Sequence, residues 1–169
     1  QNKNVGQSHP HQTIFDELPL NKINIFKPWY NAALFDLIET KDFQPNSKWI
    51  AHRLSITDQQ ADMAFSFLRG EKLIEQNSEG TWCKSQKKVR IPSSKPAPIM
   101  NDFYNDMFYR SSALMRKPYK EEDYQKRLIL GLTCSINTAK WKPVKFKLAE
   151  QLLLNAEELS DGNCDEVYY

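Results

Sequence analysis

An α+β fold follows from three features of the chain. Three helical apolar patterns and a ribbon succeed one another between Pro28 and Arg90, a Pro- and Ser-rich break follows, and a strand-helix-strand pattern closes the sequence. With 169 residues, 40% of them hydrophobic, the chain is long enough for one substantial core or two small ones. Residues 1–25 read as a linker, 26–92 as the first folded unit and 93–169 as the second.

The first helix is expected from Pro28 to Glu39, with Pro28 pre-organised at the first helical position. Tyr30, Ala33, Leu34, Leu37 and Ile38 form its apolar stripe. "FQPNS" stops it. A short helix from Ser47 to Leu54 follows, capped by Ser47, with Trp49, Ile50 and Leu54 facing inward. After the turn "SIT", Thr57 opens a third helix as the first residue of a T-x-x-Q capping box closed by Gln60. Ala61, Ala64, Phe65 and Leu68 make its buried side, and Gly70 is placed to end it in a left-handed conformation. "KLIEQ" and "TWCKS" then flank the turn "NSEG" as a two-stranded wing would. Three helices and a ribbon at this spacing are the pattern of a winged helix-turn-helix, with the third helix in the recognition position.

"IPSSKPAP" separates this unit from the rest, because Pro92, Pro96 and Pro98 fit neither a helix interior nor a central strand. Ile99 to Lys117 carries a wide apolar face, including Phe103, Tyr104, Met107, Phe108, Leu114 and Met115, which suits a helix buried on more than one side; Pro118 ends it. Lys126 to Ile136 is an apolar run of strand length. Thr138 is placed to cap a long helix reaching about Leu159, with Pro143 near its start, and "EVYY" begins a second strand. Strand, helix and strand would make a small βαβ sensor or dimerisation unit covered by helices.

Charge and composition narrow the function. The net charge of +2 says little by itself, so the distribution must carry any nucleic-acid reading. Between Glu79 and Asp102 there is no acid, while Lys84, Lys87, Lys88, Arg90 and Lys95 fall on the wing and just beyond it. Such an edge would suit phosphates, or it is a solvated ribbon and linker. The third helix argues against DNA, since its exposed positions include Asp58 and Asp62, with Arg69 the one base near its end. Gln59 and Gln60 are the residues suited to reading an adenine edge. The balance favours protein contacts for this unit, with DNA touched through the wing as the competing reading.

Enzyme chemistry finds no inventory: there is no G-x-S-x-G, no Gly-rich phosphate loop, no H-E-x-x-H and no C-x-x-C, so no catalytic residue and no cofactor is expected. Cys83, Cys134 and Cys164 are odd in number and far apart, the pattern of free thiols. His9 and His11 lack a visible third ligand and read as linker histidines, and His52 as an exposed polar residue, so no metal is expected. No apolar run approaches the roughly 20 residues needed to span a bilayer, and the first residues lack signal-peptide order; a cytoplasmic protein without a membrane partner is expected. The lysines at 140, 142, 145 and 147 sit at the start of the long helix, where they oppose its dipole. An anion held by Thr138, Lys140, Lys142 and Lys145 would be a physical reason; ordinary solvated lysines are the plainer one. An aromatic pocket from Trp29, Tyr30, Phe103, Tyr104, Phe108 and Tyr109 is outweighed by core packing.

"WYNAALFDLIETKDFQPNSKWIAHRLSITDQQADMAFSFLRGEKLIEQ", "NDFYNDMFYRSSALMRK", "LTCSINTAKW" and "DEVYY" resemble the uncharacterised C-terminal domain of a paralogous bacterial family of proposed transcription regulators. The resemblance covers Trp29 to Tyr169. It implies an N-terminal helix-turn-helix of the lambda-repressor type ahead of this region and a last strand that continues past the Val-Tyr pair, so both ends are expected to be truncated. It also implies a regulatory, effector-sensing or dimerising role. The partners it suggests are a second copy, an effector of unidentified chemistry, and DNA reached through the wing or a separate N-terminal domain. A protein-assembly module without DNA binding is the structural alternative.

Overall fold

A computed structural model of the chain describes residues 16–17, 25–85, 89–90, 98–118, 120–122 and 133–167. The described elements are β1 (Asp16–Glu17), α1 (Tyr30–Leu37), α2 (Ser47–Leu54), α3 (Asp58–Gly70), β2 (Ile74–Gln76), β3 (Trp82–Lys84), β4 (Val89–Arg90), α4 (Pro98–Arg116) and α5 (Thr138–Leu159). The fold is α+β, with helices predominating. The chain divides into two compact units, Gln1–Met107 with Glu166–Tyr169, and Phe108–Asp165.

The first unit holds the core. Leu34 and Leu37 of α1, Ile50 and Leu54 of α2, and Ala61, Ala64 and Leu68 of α3 are all buried, as their helical spacing predicts. Each large aliphatic side chain removed from water there contributes about 1.5–3 kcal/mol. Phe35 and Asn31 are buried too, because α1 is covered on a second side that the single apolar stripe did not show. Thr40 is buried past the end of α1 and its hydroxyl donates 2.7 Å to the Leu37 carbonyl, satisfying an orphan acceptor of the last turn.

Local chemistry explains the helix ends, with three corrections. α2 is capped by Asn46, not Ser47: the Asn46 Oδ1 accepts from the amides of Lys48 and Trp49, since asparagine one residue earlier already has the extended backbone a cap needs. α3 has the expected capping box, with Gln60 N donating to Thr57 Oγ1 at 3.2 Å and Thr57 N donating to Gln60 Oε1 at 2.9 Å. Gly70 does not end α3 left-handed; it is the last helical residue, and Lys72, at φ 54°, makes the reversal instead. Pro28 lies ahead of α1 rather than inside it, with Trp29 at the cap.

β2 and β3 pair antiparallel, Ile74 opposite Lys84, Glu75 opposite Cys83 and Gln76 opposite Trp82. Asn77 and Gly80 build the turn: the Asn77 Oδ1 accepts from the amides of Glu79 and Thr81, and Gly80 sits at φ 78°, where a side chain is disfavoured. β1 and β4 form a separate two-residue parallel pair, so Asp16 and Glu17, within the expected linker, take part in a strand pair.

The second half departs further from expectation. Thr133 to Ile136 is not strand but the lead-in to α5, and Glu166–Val167 is not strand either. The physical reason at the chain end is that Val167 packs against the core of the first unit and Glu166 accepts from Arg53, so this segment serves that core. The remainder of the expected strands, Lys126–Leu132 and Tyr168–Tyr169, lies outside the described residues. α5 has the expected length, but its cap is Asn137, whose Oδ1 accepts from the Ala139 amide, and Thr138 is the first helical residue. α4 is not buried on several sides. Phe103 and Met107 pack against the core of the first unit, Phe103 edge-on to Phe26 at 5.3 Å, while Phe108 and Tyr109 are exposed.

Candidate functional site

α3 has an exposed outer face in the first unit. Asp58, Gln59, Asp62, Met63, Ser66 and Arg69 are all exposed there, at the three- and four-residue spacing of one helix face. Two of its members are acids and Met63 is 61% exposed, so the face is acidic at its start and apolar in its middle. Asp62 is additionally within 3.4 Å of the Ser47 hydroxyl, which donates to it from the first turn of α2. Gln60 leaves the set of base-reading candidates. Its Oε1 accepts from the Thr57 amide and hydroxyl, and an adenine edge requires that oxygen together with the amide nitrogen. The capping role and the reading role compete for one side chain. Gln59 and Arg69 remain open to a partner.

The expected basic edge of the hairpin also loses its first base. Lys84, at the end of β3, turns its side chain inward until that side chain is only 7% exposed, and its Nζ lies 2.6 Å from Asp36 Oδ1 and 2.9 Å from Glu39 Oε2. The ammonium also sits 4.7 Å from the centre of the Phe35 ring. Burial alone would lower the Lys84 pKa, but the charges and hydrogen bonds of Asp36 and Glu39 outweigh it and hold the pKa above the ordinary lysine value. Lys84 is therefore a cross-link between β3 and α1, not part of a phosphate edge, because two carboxylates already claim its charge. Its partners stand 48 and 45 positions away in sequence, beyond the reach of local pattern. Lys87, Lys88, Lys95 and the Arg90 side chain lie outside the described residues.

Beside the hairpin runs a series of aromatic contacts. Trp49 meets Phe43 edge-on at 5.7 Å, Phe43 stacks on Phe65 at 6.5 Å, and Phe65 meets Trp82 edge-on at 4.9 Å. Arg53 lies over Trp49 at 5.2 Å and donates to Asp42 at 3.0 Å and Glu166 at 3.4 Å. The series joins the helices to β3 and ends in a shallow cavity of about 280 Å³, bordered by Phe43, Trp82, Thr40, Lys41 and Gln76. Phe43 carried no signal beyond helix termination, since an aromatic residue in a polar loop has no periodicity to reveal its partners.

The lysines of α5 do not gather into one anion site. At about 100° per residue, Lys140 and Lys147 share one side of the helix, while Lys142 and Lys145 lie well round from them. All four are exposed, and one first-turn amide is already satisfied by Asn137. Of the aromatic residues considered for a pocket, Trp29 is buried in the core, and Phe108 and Tyr109 are 73% and 83% exposed. Cys83, Cys134 and Cys164 are free thiols, and His52 is exposed. Among the described residues no group of His, Cys, Asp and Glu is arranged to hold a metal ion, and no helix is long and apolar enough to cross a membrane.

Neither curated proteins nor solved structures provide a match to the chain. A family model does match, over residues 9–169, and with nearly the whole sequence inside it the chain belongs to the family described as Domain of unknown function (DUF4423).

Proposed function

We propose that the chain is the C-terminal regulatory region, effector-sensing or dimerising, of a bacterial cytoplasmic transcription regulator. In this reading the first unit is a winged helix-turn-helix turned to protein contacts. The observation that carries the reading is electrostatic: α3 presents Asp58 and Asp62, and the one wing lysine whose side chain is described, Lys84, is neutralised by Asp36 and Glu39. Non-specific affinity for duplex DNA depends on bases that neutralise phosphates, and this surface offers few. The resemblance to the regulator family supplies the regulatory context, and DNA recognition then belongs to a separate N-terminal helix-turn-helix. The shallow cavity beside Trp82 is too open to define an effector.

A second reading, direct DNA recognition by α3 and the wing, is favoured by the exposure of Gln59 and Arg69. Titration of the chain against duplex DNA at two salt concentrations separates the two. The proposal expects weak binding that vanishes as salt rises and is unchanged by Gln59→Ala. A tight, sequence-dependent complex weakened by Gln59→Ala would establish the second reading in its place.

A further inference from the structure

α5 is sorted by charge along its length. Its N-terminal half carries Lys140, Lys142, Lys145 and Lys147, and from Glu150 onward every charge is acidic: Glu150, Glu157 and Glu158, followed by Asp161. For a helix standing alone both ends are wrong, since cations crowd the positive end of its dipole and carboxylates the negative end. An antiparallel neighbour of the same sequence reverses the sense of both. Each lysine-rich end then meets the acidic, dipole-negative end of the other helix.

Five apolar residues and one asparagine show the same two-fold order, while the exposed Phe146 and Leu154 lie on the opposite side of the helix. Trp141, Val144, Leu148, Leu152, Asn155 and Leu159 fall within a narrow stripe at about 100° per residue. The stripe is nearly palindromic about Glu150: Trp141 and Leu159 are each nine residues from it, Leu148 and Leu152 each two. Every one of these residues is exposed, Leu152 at 70% and Leu159 at 83%. Lys140 and Glu158 are five helical turns apart on one flank of the stripe, and in an antiparallel pair centred near Glu150 the same flanks of the two helices face each other. Lys140 of each copy then lies opposite Glu158 of the other, and Glu150 stays on the outer face.

We infer that α5 is a homodimerisation helix, pairing antiparallel with α5 of a second copy of this chain about a two-fold axis near Glu150. This rests on the dimerising form of the function proposed above and names its surface. Sedimentation equilibrium of the full chain tests it across a wide concentration range, with the thermal midpoint as a check on folding. The expected result is a reversible dimer that Leu152→Asp abolishes. Lys140→Glu or Glu158→Lys alone should raise its Kd on the order of tenfold, and the two together should restore it.

A strict monomer, the result if another part of the chain covers the stripe, would overturn both this inference and the dimerising reading. A dimer indifferent to Leu152→Asp and to either charge reversal would overturn the α5 geometry and leave dimerisation standing. Single reversals that weaken a dimer the double variant does not restore would overturn the antiparallel pairing alone.

Discussion

At Lys84, an apparent surface charge becomes a structural tie. Its partners Asp36 and Glu39 are 59% and 43% exposed, so solvent screens much of the attraction, while the lysine end is nearly dry. Replacing it by methionine keeps the packing on Phe35 and removes the charge, at an expected cost of about 1–2 kcal/mol in denaturant unfolding at neutral pH. The pH dependence has a definite sign. Because the folded-state pKa lies above the ordinary 10.5, the stabilisation is complete below that value and is lost as pH rises past it toward the folded-state pKa. Stability curves of the native chain and Lys84→Met should stay parallel through neutral pH and converge only in alkali; convergence near pH 7 would disprove the tie. Sequence reading placed Lys84 on a strand of the hairpin correctly but misjudged its direction, since nothing local reports a partner on a helix more than forty residues earlier.

Among the elements, α3 and the hairpin were the most legible. Thr57 and Gln60 announced the helix start through a reciprocal bond that depends only on residues three apart, and Asn77 with Gly80 announced the turn through local backbone chemistry. Elements defined by such short-range rules can be read from a sequence. The expected strand at Lys126–Ile136 was of another kind, resting on apolar character alone; its described part, Thr133–Ile136, is not strand, and the rest lies outside the described residues. Two glycines test the same distinction. Gly70 is helical with open space around an added Cβ, so Gly70→Ala should stabilise the first unit by about 0.5–1 kcal/mol. Gly80 has equal space but a positive φ, so Gly80→Ala should destabilise the hairpin by roughly 1–2 kcal/mol. Paired thermal melts decide it, and shifts of the same sign would refute the assignment of both backbones.

For the whole molecule, the notable fact is that the chain returns at Glu166 and Val167 to the unit it left after Met107. Val167 contributes apolar contact to the core, while Glu166 offers Arg53 an ion pair whose carboxylate is 54% exposed. Burial should outweigh charge. Val167→Ala is expected to cost about 1 kcal/mol in urea unfolding and Glu166→Gln less than about 0.5 kcal/mol. The reverse order would make the ion pair the anchor. This return was not legible beforehand, because "DEVYY" has the composition of a strand and its destination depends on the completed core.

The unit Phe108–Asp165 is an insertion in the chain: the segments before and after it, up to Met107 and from Glu166, belong to the same first unit. Each of these flanking segments makes its contacts within the first unit, Phe103 of α4 on Phe26 and Glu166 on Arg53 of α2. Both flanks of the insertion are thereby fixed by contacts made inside the first unit alone.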